Sequence, residues 1–321
     1  MNEQQITSER INEFMGLTPE LRRMYLAQRQ SLPLNVKINL SKRRIQDWYE
    51  YHNGMVYVAF SGGKDSTVLL HLVRSMYPDV PAVFSDTGLE YPEIREFVST
   101  TENVVWSKPR KNFKAVIDED GYPLISKQVA KSLRRVQNPT DKNEASRTLA
   151  LTGIKRDGTK SPFFKLPKKY MKLIDSGIKV SEKCCDYMKK YPARDYEKST
   201  KRKAFTGVMA QDSRSRQENY IRVGCNSYTS GTSQPLAFWL EQDVWGYIKR
   251  FDVPYASIYD KGETRTGCVF CMFGMEFDKD RFVRLKKLHP QLHSYCMDKL
   301  KMREVLQFMG YPTGDEDESH A

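Results

Sequence analysis

The run Met55-Val-Tyr-Val-Ala-Phe-Ser-Gly-Gly-Lys-Asp-Ser-Thr-Val-Leu-Leu-His-Leu-Val-Arg74 changes character twice. Met55 to Phe60 is a short unbroken apolar run, the pattern of a strand buried on both faces. Thr67 to Arg74 reads as a helix. Between them lies Ser61-Gly-Gly-Lys-Asp-Ser66. Gly62 and Gly63 let the backbone approach a bound anion closely. The helix that follows directs free N–H groups and its positive dipole end at that anion. Lys64 adds a mobile cation, Ser61 and Ser66 add hydroxyl donors, and Asp65 can hold a magnesium ion on phosphates. This is not a Walker A loop, which needs Gly at position 58 and Ser or Thr at 65, where this chain has Val and Asp. The competing reading is a strand-to-helix turn that needs glycine for its geometry alone.

Outward from this stretch the alternation continues. Val80–Ser85 and Asn103–Ser107 read as strands, with a helix over Tyr91–Thr100 between them, and a further strand resumes at Ala204–Ala210. Strand and helix alternating in this way predict a parallel sheet with right-handed crossovers. Ahead of it, residues 1–52 read as helical: Ile11, Phe14 and Met15, then Leu21, Met24 and Tyr25, then Ile38, Leu40, Ile45, Trp48 and Tyr49 recur at helical spacing. Thr18 and Ser41 are candidate helix starts. Pro235–Trp239 reads as extended, Glu241–Phe251 as a helix, and 278–310 as helical. The expected class is α/β, a doubly wound, mostly parallel sheet. A helical segment (1–52) precedes a nucleotide-binding domain (53–260), which carries a basic extension (110–203). Residues 261–321 form a helical C-terminal region.

The chain has 321 residues, 39% hydrophobic and 29% charged, enough apolar material for a sizeable core. No run reaches the ~18 apolar residues of a membrane helix, and the polar N-terminus lacks the apolar core of a signal peptide. A cytoplasmic protein is the expectation. Net charge is +12, unevenly spread. From Lys127 to Lys203, 22 Lys and Arg stand against 8 Asp and Glu, while the closing Gly-Asp-Glu-Asp-Glu-Ser-His-Ala321 is acidic. Such a concentration predicts an anionic partner, nucleic acid first, against the plainer reading of a solvated basic surface. Lys127, Lys131, Arg134 and Arg135 fall on one expected helix, Ser126–Val136, as candidate phosphate contacts.

The motifs resemble a known superfamily. Ser-Gly-Gly-Lys-Asp-Ser after a strand is similar to the pyrophosphate loop of the adenine nucleotide alpha-hydrolases. Phe84-Ser-Asp-Thr-Gly88 resembles that superfamily's phosphoadenosine phosphosulfate (PAPS) reductase branch. So does Thr206-Gly-Val-Met-Ala-Gln-Asp-Ser-Arg-Ser-Arg216, with Met209 in place of the motif's first arginine. Pro235-Leu-Ala-Phe-Trp and Asp243-Val-Trp-Gly-Tyr-Ile248 also fit. The resemblance covers roughly residues 40–300. It implies a flavodoxin-like sheet with the ligand at the carboxyl ends of the strands. The ligand would be ATP, adenosine phosphosulfate (APS) or PAPS, with magnesium. It would be bound by Ser61, Gly62, Gly63, Lys64, Asp65, Ser66, Asp86, Thr87, Gly88 and Gly207, with Lys64, Asp65 and Arg216 in catalytic roles.

Six cysteines are too few for a disulfide scaffold in a chain of this size. Cys184-Cys185 and Cys268-Val-Phe-Cys271 form two pairs. A lone Cys-x-x-Cys fits redox chemistry, zinc or chance. Zinc usually takes spaced pairs, whereas neighbouring thiolates can each bind a separate iron of an iron–sulfur cube. The arrangement resembles the APS reductase subgroup, which implies a 4Fe-4S cluster on Cys184, Cys185, Cys268 and Cys271. DNA phosphorothioation enzymes of the superfamily also combine the loop with a cluster. Cys225 and Cys296 read as inert buried thiols, His289 and His293 as surface histidines, and Trp239 and Trp245 as core.

One departure bears on function. The nucleophilic cysteine segment of sulfonucleotide reductases, Glu-Cys-Gly-x-His, has no match in Tyr311–Ala321, and Cys296 does not fit it. The first expectation is therefore cleavage of ATP between the α and β phosphates. That would adenylate a nucleic acid, which then receives sulfur, with a sulfur donor protein as a further partner. The alternatives are an APS or PAPS reductase and a non-catalytic nucleotide-binding module; the intact Lys64 and Asp65 weigh against the last.

Overall fold

The structure, a computed structural model, describes Phe14 and residues 16–315. Ile11, Met15 and most of the acidic tail lie outside the described residues. The chain divides into two compact units. The first comprises residues up to Asp86, Glu90–Lys108 and Pro192–Thr266; the second comprises Thr87–Leu89, Pro109–Tyr191 and the chain from Gly267 onward. In chain order the strands are β1 (Val56–Phe60), β2 (Ala82–Ser85), β3 (Val104–Ser107), β4 (Leu124–Ile125), β5 (Lys203–Thr206), β6 (Asn226–Ser227), β7 (Thr232–Ser233) and β8 (Met272–Phe273).

The first unit holds a six-stranded sheet in the order β3-β2-β1-β5-β7-β6, parallel except for β6 against β7. β1 lies centrally, as its unbroken apolar run requires, with Val58 beside Ala82 on one flank and Phe205 on the other. The Lys64–Arg74 helix buries Val68, Leu69, Leu72 and Val73 completely. The strand order runs outward as 3-2-1 on one side and departs through β5 on the other. Its reversal, where an α/β sheet leaves a crevice at the strands' carboxyl ends, therefore falls between β1 and β5.

Some local expectations are corrected. The first described helix is Pro19–Ser31, with Thr18 accepting from the Leu21 amide at 3.3 Å. Yet Leu21, Met24 and Tyr25 are exposed, and Leu26 is the buried residue. Ser41 does not start a helix; it lies inside Leu34–Tyr51. Its buried hydroxyl donates to the Pro235 carbonyl and accepts from Trp239 Nε1, both at 2.8 Å. That anchoring turns Pro235–Phe238 back on itself, with the Ala237 amide donating to Gln234 and Trp239 to Leu236, so this stretch is turn and not extended. Trp239 is buried, as expected.

The second unit joins stretches far apart in sequence. β4 pairs with β8, Leu124 beside Met272, and Phe113 stacks on Phe270 with ring centroids 3.6 Å apart. His293 is not a surface residue: it is 3% exposed, and its Nε2 donates to the Thr313 carbonyl at 2.6 Å. Cys225 and Cys296 are buried, and burial pushes the Cys296 thiol up to about 12, so both fit the inert role.

A buried ion pair ties the helical segment to the sheet unit. Lys37, 1% exposed, donates from Nζ to Asp243 Oδ2 at 2.5 Å, and the same oxygen accepts from the Leu240 amide at 2.7 Å. Breaking a buried pair strands a charge in low dielectric. Lys37→Met is expected to lower unfolding stability by about 3–5 kcal/mol in urea denaturation. A variant within 1 kcal/mol of the parent would show that Asp243 finds compensation elsewhere.

Candidate nucleotide-binding site

The loop between β1 and its helix is built around two glycines. Gly62 has φ +71°, a conformation L side chains rarely adopt, and a Cβ there would stand 2.8 Å from Ile94 Cγ2 and Val98 Cγ2. Behind the loop, Ser66 Oγ accepts from the Ser61 amide at 3.2 Å and donates to the Gly63 carbonyl at 2.9 Å; Thr67 Oγ1 donates to the same carbonyl at 3.1 Å. These bonds fix the turn from behind and leave its front to a ligand. From the neighbouring strand, Gly207 presses on the helix's first turn: a Cβ at 207 would come within 3.0 Å of the Asp65 carbonyl and the Ser66 amide. A side chain there would press on the backbone of the helix's first turn.

A cavity of about 460 Å³ opens at this point, lined by Ser61 and Gly63–Ser66, by Thr206–Met209 at the end of β5, and by Asp212, Arg216, Glu241, Tyr259, Arg265 and Thr266. All belong to the first unit. Lys64 is nearly buried, with Nζ 3.3 Å from Asp65 Oδ1 and 3.4 Å from Glu241 Oε1. Burial pulls its pKa down, but the charge of Asp65, with Tyr259 and Glu241, outweighs burial and holds it above the ordinary lysine value. Asp65 is pushed up by burial, against the pull of Lys64. Its buried Oδ1 has the Lys64 ammonium as its ion-pair partner. Arg216 pairs with Asp212.

The loop's amide at Lys64 donates to Tyr259 Oη at 2.9 Å, and Tyr259 Oη lies 2.9 Å from Thr266 Oγ1. Trp245 is half-buried and meets Tyr259 edge-on. Sequence reading identified neither Tyr259, Arg265, Thr266 nor Glu241 as part of the site. Three of them come from the segment after the Glu241–Phe251 helix, which carries no motif, so only tertiary packing brings them to the loop. Of the expected ligand residues, Asp86 closes β2 but is held by Arg95 and, with Thr87 and Gly88, stands outside the cavity's lining. Met209 lines the cavity without the charge of the motif's arginine. Arg265, exposed, has no hydrogen bond or ion pair among the described residues and supplies a cation to the same space.

The four paired cysteines all fall in the second unit. Cys184 is buried, and Cys185, Cys268 and Cys271 are half-buried. They act on one another: a hydrogen bond between Cys184 and Cys185 raises the first thiol's pKa and lowers the second's, with Lys127 and Lys189 favouring the Cys185 thiolate. Cys268 and Cys271 also raise Cys184, while burial pushes Cys271 up to about 11 against the pull of Arg281. Four soft donors beside three cations suit an anionic cluster. As the side chains stand, no three His, Cys, Asp or Glu residues among those described are arranged to hold a single metal ion.

Comparison with known proteins bears on this geometry. The sequence model of the phosphoadenosine phosphosulfate reductase domain matches residues 55–168 and 162–273. The chain belongs to the phosphoadenosine phosphosulfate reductase family. The match covers the loop, β5 with its motif, and both cysteine pairs. An uncharacterized protein of Methanocaldococcus jannaschii is 27% identical over 85% of this chain and 53% of its own length; a second is 27% identical over 71% and 38%. The chain thus spans about half or less of these relatives. An adenosine 5'-phosphosulfate reductase of Geobacillus sp. is 28% identical over 69% of this chain and 74% of that protein. A PAPS reductase structure from Candida auris aligns over 78% of this chain and 96% of that one, at 14% identity and TM-score 0.39. No helix among the described residues is long and apolar enough to cross a membrane.

Arg265→Ala is expected to raise the dissociation constant for an adenine nucleotide roughly tenfold in calorimetric titration, the worth of one charge-assisted contact. The melting temperature should stay unchanged, because Arg265 holds nothing else. An unaltered affinity would remove Arg265 from the site.

Proposed function

We propose that this family member binds ATP with magnesium at the 61–66 loop and cleaves it between the α and β phosphates. An acceptor oxygen attacks the α phosphorus and pyrophosphate leaves. The acceptor then carries AMP, which departs with that oxygen when a sulfur nucleophile takes its place. The acceptor in this reading is nucleic acid, held through the 127–203 segment.

One observation carries the choice of ATP: the cavity's own charges cancel. Lys64, Arg216 and Arg265 face Asp65, Asp212 and Glu241. A triphosphate brought into such a cavity needs a counter-cation, and carboxylates beside phosphates are the ordinary way to hold magnesium. A site serving a metal-free phosphosulfate gains nothing from three acids. Lys64 best uses its charge on the departing pyrophosphate, where negative charge grows in the transition state. Lys64→Ala should therefore lower turnover by roughly 10²–10³-fold with a smaller effect on nucleotide affinity.

The second reading, reduction of a sulfonucleotide to sulfite, is favoured by relatives named adenosine 5'-phosphosulfate reductase, 23–28% identical to this chain. Incubating anaerobically prepared protein with ATP, APS and PAPS separately decides between them. AMP and pyrophosphate from ATP in the presence of an acceptor support the first; sulfite from APS or PAPS with no ATP cleavage overturns it.

In either reading Cys184, Cys185, Cys268 and Cys271 are the residues that would hold a 4Fe-4S cluster. Such a group would supply a redox-capable iron centre. Anaerobic protein is expected to be brown with about four irons per chain, and replacing any one of the four cysteines with Ser should bleach it. Stoichiometric zinc without iron would sink the assignment.

A further inference from the structure

The basic surplus is not uniformly available. On the Lys127–Gln137 helix, Arg134 forms a two-pronged pair with Glu182 at 2.8 and 2.9 Å. Lys183 pairs with Asp120 at 2.6 Å and Lys190 with Asp186 at 2.7 Å. Arg134, Lys183 and Lys190 are thus matched inside their own unit, which leaves Lys131 as an exposed cation of that helix outside any ion pair among the described residues.

Residues 155–172 differ. Here seven Lys and Arg face one acid, Asp157. Arg156, Lys160, Lys165 and Lys168 are exposed and join no ion pair among the described residues. Set among them, Phe163 is 65% exposed and Phe164 44%, with ring centroids 5.2 Å apart at 81°. Their turn is braced from beneath: the Leu166 amide donates to the Ala150 carbonyl at 2.7 Å, and Leu166 is 3% exposed. Lys169 pairs with Glu276, bringing a second turn to this segment, and the next residue, Phe277, is 93% exposed. Large rings left in water cost free energy unless a partner covers them.

We propose that Phe163 and Phe164, flanked by Arg156, Lys160, Lys165 and Lys168, form a stacking platform for single-stranded nucleic acid. Two exposed rings offer π faces to unpaired bases, and the unmatched cations follow the phosphates, the combination that sequence-tolerant single-strand binding uses. A duplex keeps its bases stacked inside and offers the rings nothing. Charge alone would accept any polyanion; the rings make the surface selective for accessible bases. The inference rests on the reading of the acceptor as nucleic acid, and it moves the contact from the helix at 127–137 to this segment.

The test uses the full chain without nucleotide and measures fluorescence anisotropy with three labelled probes. These are a 20-mer of deoxythymidine, the same length of abasic strand, and a 20-base-pair duplex. The expected order is the thymidine strand well ahead of the other two at moderate salt. Phe163→Ala/Phe164→Ala should weaken the thymidine strand roughly tenfold to a hundredfold and leave the abasic strand unchanged. Lys160→Ala/Lys165→Ala/Lys168→Ala should weaken all three probes and flatten the salt dependence. Equal binding of thymidine and abasic strands, indifference to the phenylalanine change, or no binding at all overturns the proposal. So does phenylalanine-dependent binding to vesicles of phosphatidylserine and phosphatidylcholine with none to oligonucleotides. Thermal melting checks that the exposed substitutions leave the fold intact. Pyrophosphate release from ATP, followed separately, keeps the two ideas apart: a strand that binds while ATP stays intact sinks the proposed reaction and spares the platform.

Discussion

The close approach of Gly207 to the first turn of the Lys64–Arg74 helix is the constraint on which the candidate site depends. Parallel pairing of β1 with β5 sets Ala59 beside Thr206, so the residues that follow each strand emerge side by side. With no Cβ at 207, the end of β5 can lie against the Asp65 carbonyl. From there the chain runs on to Asp212 and Arg216 along the cavity wall. Gly62 meets a matching demand on the other flank, where Ile94 and Val98 fill the space behind the loop. The loop is thus held between two walls that tolerate almost no added volume, and its shape is set before any ligand arrives.

The sequence made the centre of this arrangement readable because several signals coincide within a few residues: an apolar run without alternation, two glycines, and a helix with a lysine at its start. The same local consistency made β2, β3 and their intervening helix legible. What escaped was decided by contacts between distant segments. Ser41 has the chemistry of a helix cap, but a buried hydrogen-bond pair with Pro235 and Trp239 claims its hydroxyl in mid-helix. His293 reads as a surface residue because Pro290 interrupts its helix and no acid completes a zinc motif, yet the Thr313 carbonyl gives its ring a buried partner. Tyr259 and Arg265 sit in a stretch whose composition says only loop. No periodicity could show that it returns to the head of the nucleotide loop.

Charge tells a similar story at larger scale. Counting residues located the basic surplus but could not say which cations were already matched. Glu182, Asp120 and Asp186 are few against the total, yet they take up Arg134, Lys183 and Lys190. The charge this unit can offer a partner is therefore smaller than its composition suggests. Net charge is an additive property of the chain, whereas available charge is a property of the fold.

The hydroxyl of Tyr259 on the Lys64 amide bears on discrimination among anions. The amides at the head of a helix are the groups an anion would ordinarily capture first. Here one of them already has an oxygen acceptor of its own, steadied by Thr266. Orthophosphate, small and abundant in any cell, would have to trade one hydrogen bond for another at that amide and would gain little by the exchange. Any anion that engages this amide must therefore first displace a side chain of the protein's own.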